Sequence, residues 1–325
     1  MINKKNKLSE AKPLFIERMQ KLLPGEKDFK SYLKILEEYP VNSIRCNTLK
    51  ITINELRKRM EEKGWKVKQP FKDFPEVMII ESSLAPGELG RSLEHQLGYY
   101  YIQEISSMLP VFILKPKPEE TILDLCSAPG SKTTQIASCM NNTGTIIANE
   151  VKFGRIKILS TNLQRCGVSN CIITKKDGIS LCTKFEKKGI KFDRILVDAP
   201  CSGEGTIRSS PKTLRMWNIK VIESLSRLQK ALISSAIKIL KDDGTLVYST
   251  CTHSPEENEE IVDFVLKNFP EIKAEKISLP LKTREGIKKW QGEEYLEDVK
   301  YSCRVYPQDN NTEGFFIVKF RKIEK

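Results

Sequence analysis

The sequence predicts an α/β protein: a mostly parallel sheet with helices on both faces, preceded by a small α+β module. Three observations carry this expectation. From about residue 104 onward, short apolar runs alternate with helical periodicities, the pattern of βαβ units. Before that point, helices come first and short strands follow. At 325 residues the chain also exceeds one ordinary domain, so a division into 1–104 and 105–325 is expected.

In the first part, helical patterns at about 9–23 and 28–38 precede "SIRCNTLK" (43–50), which reads as a strand. "TINELRKRMEEKG" follows as a helix, with Thr52 and Glu55 spaced as a capping box and Gly64 as its stop. "WKVKQP" and "EVMIIES" read as further strands. "GYYYIQE" reads as a strand facing the core, with base stacking as its alternative use. In the second part the strand-like runs are 121–126, 144–150, 171–177, 192–200, 244–251 and 314–320. Between them, residues 152–166 set Ile156, Leu159 and Leu163 on one helical face, with Gly167 as a stop. Residues 221–241 repeat Ile222, Leu225, Leu228, Leu232, Ala236 and Leu240 in the same way, and Trp217 just ahead of them reads as packing. "SPEENEEIVDFVLKNF" opens like a capped helix, with Ser254 as N-cap, Pro255 at the first position and Glu257 three residues on.

Composition narrows the function classes. No apolar stretch approaches the roughly 18 residues of a membrane span, and "MINKKNKLSEAKP" has no apolar segment after its lysines, so a cytoplasmic protein is expected. Nine cysteines without a CxxC pair, and only His95 and His253 as imidazoles, argue against a metal site and against a disulfide framework. Cys46, Cys139, Cys166, Cys171 and Cys182 read as core residues. The net charge of +12 fits an acidic partner such as nucleic acid, or a lysine-rich composition and nothing more. The excess is spread: residues 1–104 carry 19 Lys and Arg against 15 Asp and Glu, the remainder 35 against 27.

Chemistry-bearing residues cluster where an open parallel sheet binds ligands, beyond the carboxyl ends of its strands. "DLCSAPGSKTT" follows the first strand of the second part, Glu150 the next, Asp177 the next, "DAPCSG" the fourth and "STCTHS" the fifth. A phosphate-binding loop is excluded, because Ser131 separates Gly130 from Lys132 and Leu125 stands where the earlier glycine belongs. One glycine is also too few for a dinucleotide fingerprint. Cys201 and Cys251, each just past a strand, suggest one shared site.

In order and spacing, "SIRCNTLK", "DLCSAPGSKTTQIA", "ANE", "TKKDG", "DAPCSGEGTIR", "YSTCTHSPEENE" and "GFFIVKFRK" resemble the successive motifs of the Nol/Nop/Sun RNA (cytosine-5)-methyltransferases, over roughly residues 40–322. The resemblance implies a Rossmann-like class I methyltransferase domain that uses S-adenosylmethionine and acts on RNA. It implies that Cys126, Ser127, Ala128, Pro129, Gly130, Ser131 and Lys132 wrap the methionine portion of the cofactor, with the following helix N-terminus near its carboxylate. Glu150 would accept from the ribose hydroxyls, Asp177 from the adenine amino group, and Asp198 would sit in the same pocket while holding the cytosine edge. Asp124 would anchor the loop.

The thiols fit this chemistry, since cytosine carbon 5 is a poor nucleophile until a group adds at carbon 6. Spacing alone leaves open which cysteine attacks. The resemblance assigns attack to Cys251 and product release to Cys201. A thiolate at Cys251 needs help to form, and the N-terminus of the helix after Ser254 is a candidate, although Glu256 and Glu257 oppose it. Arg45 and Asn47 are expected to hold RNA backbone. No further RNA-binding module follows the last strand, which favours a compact tRNA-modifying monomer. An rRNA methyltransferase, a non-catalytic RNA-binding assembly factor and a DNA methyltransferase are the alternatives. The second cysteine and the first module stand against the last of these.

Overall fold

The computed structural model describes residues 7–324, so the opening "MINKKN" of the stretch read as lacking an apolar leader lies outside the described residues. The first sheet contains β1 (Asn42–Cys46), β2 (Val67–Lys68), β3 (Val77–Ile80) and β4 (Tyr100–Ile102), in the order β2-β3-β1-β4. All of its pairings are antiparallel. Helix Ile53–Glu62 packs on it, and the expected capping box forms between Thr52 and Glu55. Leu56, Met60, Trp65, Met78 and Tyr100 share the core between them.

The second sheet begins with β5 (Thr121–Asp124), β6 (Thr145–Asn149), β7 (Cys171–Thr174), β8 (Phe192–Asp198) and β9 (Leu240–Thr250). These five run parallel in the order β9-β8-β5-β6-β7. The edge is completed by β10 (Ile272–Glu275), β11 (Arg284–Glu285), then the small hairpin β12 (Lys289–Trp290) and β13 (Glu293–Glu294) off the sheet, β14 (Cys303–Val305) and β15 (Phe315–Lys322). β15 lies antiparallel to β9, and β14 and β10 pair antiparallel with its two ends. Apolar cores cover both faces, one around Leu232, Ile233 and Ala236, the other around Leu109, Phe112 and Ile136. From β5 the chain first steps outward to β6 and β7, then returns to β8 on β5's other side. The strand order therefore reverses beside β5, which places a crevice at the carboxyl ends of β5 and β8.

Helices Pro13–Leu22 and Glu26–Leu36 do not pack on the small sheet. Phe15, Met19, Tyr32 and Leu36 share a core with Ile207, Leu214, Trp217 and Tyr306 from beyond β8. Trp217 is buried, as expected of packing.

Three local expectations are corrected. Leu240 belongs to β9, where it pairs with Phe192, because the preceding helix ends at Lys238. The helix expected from Pro255 begins at Glu259, after one 3₁₀ turn over Pro255–Glu257. Its capping box does not form: Ser254 Oγ donates to Glu204 (2.9 Å) and Glu257 accepts from the Ser202 amide and Gln229. Cys139 is exposed on the last turn of its helix, whereas Cys46, Cys166 and Cys182 are buried and Cys171 is half-buried. Among the described residues no helix is long and apolar enough to cross a membrane.

Candidate active site

The loop after β5 turns sharply so that helix Ser131–Cys139 can start directly above the crevice. Gly130 makes that turn at φ 103°, a left-handed conformation favouring glycine, and a Cβ there would press on the Leu159 side chain at 3.0 Å. A cavity of about 360 Å³ opens beneath, lined by Asp124, Cys126, Ser127, Ala128, Pro129, Ser131, Lys132 and Asp198. Burial pushes the Cys126 thiol up, which suits a packing wall and not a nucleophile.

Asp124 Oδ2 accepts from Thr133 (2.7 Å), while its Oδ1 is buried with no hydrogen-bond partner. Burial raises this carboxyl to about 7. A cationic donor in the cavity would satisfy it.

Lys132 closes one side of this cavity. Its ammonium donates to Asp198 Oδ2 (2.8 Å) and to Ser107 Oγ (3.0 Å) and lies over the Phe315 ring. Ser249 on the adjacent strand donates to Asp198 Oδ1 at 2.7 Å. Beyond this ion pair lies a second cavity, also about 360 Å³, whose lining shares Lys132 and Asp198 and adds Cys251, Thr206, Ser209, Glu313 and Phe315. The Lys132–Asp198 pair thus stands between two chambers.

Strand register brings the two thiols together. β8 and β9 are parallel neighbours with Asp198 opposite Ser249, so residues shortly after each strand emerge side by side. The Gly205 amide donates to the Cys251 carbonyl (2.9 Å), and the Gly314 amide to the Gly205 carbonyl (2.8 Å). A Cβ on Gly205 would sit 2.2 Å from the Gly314 oxygen, so only glycine permits this approach. Ser202 and Thr252 hydroxyls meet at 2.7 Å. The sulfurs of Cys201 and Cys251 end 3.2 Å apart. The contact with Cys251, together with burial, holds Cys201 well above the usual thiol range and therefore protonated.

Buried acids fix these loops from behind. Glu204 accepts from Trp217, Thr252, the His253 amide and Ser254. Glu257, pushed up to about 7 by burial, binds the Ser202 amide at 3.0 Å. With the helix beginning only at Glu259, its N-terminus is not available to Cys251 in the way expected.

The two remaining acids differ. Glu150 is 3% exposed, with Oε1 accepting the Lys152 amide (2.8 Å) and Oε2 2.9 Å from Arg155. Asp177 is exposed and caps helix Gly178–Lys187 by accepting the Ser180 amide (2.9 Å).

Arg45 and Asn47, expected to hold RNA, do not face outward. Arg45 is 2% exposed and donates to the Ser131 carbonyl (2.8 Å), Thr134 (2.8 Å) and Gln103. Asn47 donates to the Gly98 and Cys166 carbonyls, each at 2.8 Å. The expectation is corrected: both side chains fasten the small sheet to the catalytic one, and Arg45 grips the first turn of the helix that follows the Gly130 loop. Sequence reading missed Gln103, Glu104 and Ser107, which line both cavities. Their signal was the polar "QE" between an aromatic strand and an apolar helix.

A family model described as 16S rRNA methyltransferase RsmB/F matches residues 111–321, and one for the N-terminal domain of 16S rRNA methyltransferase RsmF matches residues 12–105. The tRNA (cytosine(49)-C(5))-methyltransferase of Pyrococcus abyssi is 46% identical over 308 residues, 94% of this chain and 95% of that protein. Ribosomal RNA small subunit methyltransferase F of Vibrio cholerae is 38% identical over 95% of this chain, which spans 63% of that longer protein. A crystal structure of a methyltransferase homolog protein from Pyrococcus horikoshii superposes with a TM-score of 0.83 at 33% identity, covering 99% of this chain and 100% of that one. That of NSun6 from Pyrococcus horikoshii with SFG gives 0.81 at 27% identity, covering 98% of this chain and 100% of that one. Two-chambered geometry, paired thiols and matches along both parts lead to one conclusion: the chain belongs to the RsmB/F family of RNA cytosine-5 methyltransferases.

Proposed function

We propose that this protein is an S-adenosylmethionine-dependent RNA (cytosine-5)-methyltransferase whose substrate is tRNA. The observation that carries the reading is the 3.2 Å approach of Cys201 and Cys251 beside a cavity divided from a second one by Lys132 and Asp198. The first cavity suits the cofactor's methionine end: its unpartnered Asp124 oxygen would accept the ammonium, and the amides of the helix beginning at Ser131 would meet the carboxylate. Buried Glu150 and exposed Asp177 follow the next two strands outward and line neither cavity; they would take the ribose and the adenine of a cofactor that extends past the first one. When bound there, S-adenosylmethionine supplies an electrophilic methyl group.

In the second cavity Cys251 gives up its thiol proton to solvent and adds its sulfur to carbon 6 of the target cytosine. The C5=C6 electron pair moves onto carbon 5 and makes it nucleophilic. Asp198 holds the cytosine edge; a carboxylate has about four acceptor positions, so its bonds to Lys132 and Ser249 leave room for the base. Lys132 offsets charge that develops on the ring. After carbon 5 is methylated, its proton leaves, the double bond re-forms and the sulfur–C6 bond breaks. Cys201, held as a thiol, protonates the departing Cys251 sulfur, and the carbon 5 proton restores it.

tRNA as substrate rests on the Pyrococcus abyssi relative, which is 46% identical to this chain, against 38% for the rRNA-modifying relative of Vibrio cholerae. Bisulfite sequencing of total RNA from cells with and without the gene tests the reading. A tRNA cytosine protected only in the presence of the gene is expected. Protection confined to small-subunit rRNA would transfer the activity there, and no change at any cytosine would overturn it.

A further inference from the structure

Beyond the cofactor and target chambers the groove continues. A third cavity of about 560 Å³ lies next in line, with Asn42, Lys68, Ile79, Ser82, Asn310 and Asn311 in its walls. It shares Pro40, Val41 and Asn42 with the chamber that contains Cys251. Resting on the methyltransferase reading above, we propose that this third cavity receives the ribonucleotide adjoining the target cytosine, and that Asn42 reads its base.

Four features support this occupant. A volume of this size lies within the range of small-molecule sites, ample for one nucleotide. The walls suit a base: Val41 and Ile79 offer apolar surface, and Asn42 and the Ser82 hydroxyl offer polar groups. RNA-modifying sites take the target out of its stack, so its neighbour loses the stacking partner on that side, and where it lies in a loop its edges are open to protein. The shared wall puts that neighbour one chamber away, as chain connectivity requires.

Asn42 is suited to reading where its neighbours are not. It is exposed at the first position of β1, backbone-paired with Ile80 across the sheet. Its side-chain amide makes no hydrogen bond within the described residues. One carbonyl acceptor and one NH₂ donor in a plane match a base edge carrying the complementary pair. By contrast, Asn310 exchanges both of its side-chain groups with the Lys282 backbone, and Asn311 accepts from Arg208. Those two form a fixed wall. Lys68 at the far side has its side chain 60% exposed and only a long 4.0 Å contact to Glu81, so its charge remains available to phosphate.

The test uses full-length protein and a panel of tRNA transcripts in which each nucleotide flanking the methylated cytosine is varied in turn. Methyl transfer from labelled S-adenosylmethionine gives kcat/KM for each. Wild-type protein should prefer one base at one flanking position. Asn42→Ala should cut kcat/KM for that base about tenfold and level the four bases, the cost of losing one paired base contact, with the KM for S-adenosylmethionine unchanged. Lys68→Ala should raise the KM for every transcript equally and leave the preference intact. A preference that survives Asn42→Ala, or a wild-type protein indifferent to both flanking positions, overturns the subsite while leaving the methyltransferase reading standing. If wild-type protein methylates no transcript and no cellular RNA, the underlying reading fails instead.

Discussion

The two sheets use their polar side chains in opposite directions. At the carboxyl ends of β5, β8 and β9, Lys132, Asp198 and Cys251 reach into cavities, and loops are spread apart to make room for ligands. In the small sheet, Arg45 and Asn47 on and just after β1 turn inward and are consumed by the catalytic half. On the proposed mechanism the large sheet supplies the reacting groups, and the small sheet holds the first turn of the helix that carries Lys132. A polar residue at a strand end is thus either a tool or a fastener, and only tertiary packing decides which.

The largest effects should come from the large sheet's thiols, and there the two cysteines should separate. Cys251→Ala should abolish methyl transfer and give no covalent protein–RNA species, because no sulfur adds to carbon 6. Cys201→Ala keeps the attacking sulfur and loses the proton donor beside it. An adduct stable on denaturing gels should then accumulate. Labelled cofactor and substrate RNA with each variant check this. Accumulation in Cys251→Ala and none in Cys201→Ala would exchange the roles.

The next effect separates tool from fastener within the same edge. Glu257 lines neither chamber and holds the Ser202 amide next to Cys201. Burial raises it to about 7 from an ordinary 4.5, so between those values the folded protein keeps a proton that the unfolded chain has released. Stability attributable to this group therefore falls as pH rises from about 4.5 to about 7, by up to roughly 3 kcal/mol. Glu257→Gln, which cannot ionise, should flatten the decline of Tm over that window. Asp124, also near 7, keeps part of the slope in place. An unchanged slope would mean that Glu257 is ionised in the folded protein.

What could be read from sequence follows the same division. Strand-end positions in a parallel sheet are legible, because the alternation of strand and helix fixes which residues face the crevice. That is why the loop from Cys126 to Lys132, Asp198 and both cysteines were singled out, and register then joined them. Arg45 was illegible because nothing local distinguishes a buried arginine on a short strand from an exposed one; its partners Thr134 and Ser131 lie nearly ninety residues away (separations of 89 and 86). The helix start at Glu259 was hidden for a related reason. Ser254 and Glu257 have the spacing of a capping box, but Glu204 and the Ser202 amide outcompete the local bonds. Gln103, Glu104 and Ser107 belong to neither sheet's motif pattern, and only the packing of one part on the other makes them a shared wall.

Arg45 offers the direct test of the fastener role. Arg45→Lys keeps a positive charge but loses the planar fork that bonds Ser131 and Thr134 together. A loss of about 2 kcal/mol is expected, as for one or two hydrogen bonds to a charged group. It should appear as a lower Tm and a higher KM for S-adenosylmethionine, because the helix above the cofactor cavity loosens. In Arg45→Met, which removes the charge, the slope of RNA affinity against salt should not change, since a buried guanidinium neutralises no phosphate. If that slope falls by about one while the cofactor KM stays constant, Arg45 contacts RNA after all and the contrast between the sheets fails.

The smallest expected effect sharpens the contrast at one residue that combines both uses. Asp177 caps its helix through Oδ1, and as the adenine partner it would also act as a tool. Asp177→Ala loses both, costing about 1 kcal/mol through the cap alone, so its effect on activity is ambiguous. Asp177→Asn resolves it, because asparagine is as good an N-cap as aspartate. Its Tm should match the wild type at moderate salt. An asparagine retains one acceptor oxygen, now engaged with Ser180, and presents an NH₂ where the second carboxylate oxygen stood. Facing the adenine amino group, that is donor against donor. The KM for S-adenosylmethionine should therefore rise severalfold, on the order of 1 kcal/mol, with kcat and RNA affinity unchanged. An Asp177→Asn protein with wild-type cofactor KM would leave the residue a helix cap alone, and Glu150 would then be the acid of this pair that acts as a tool.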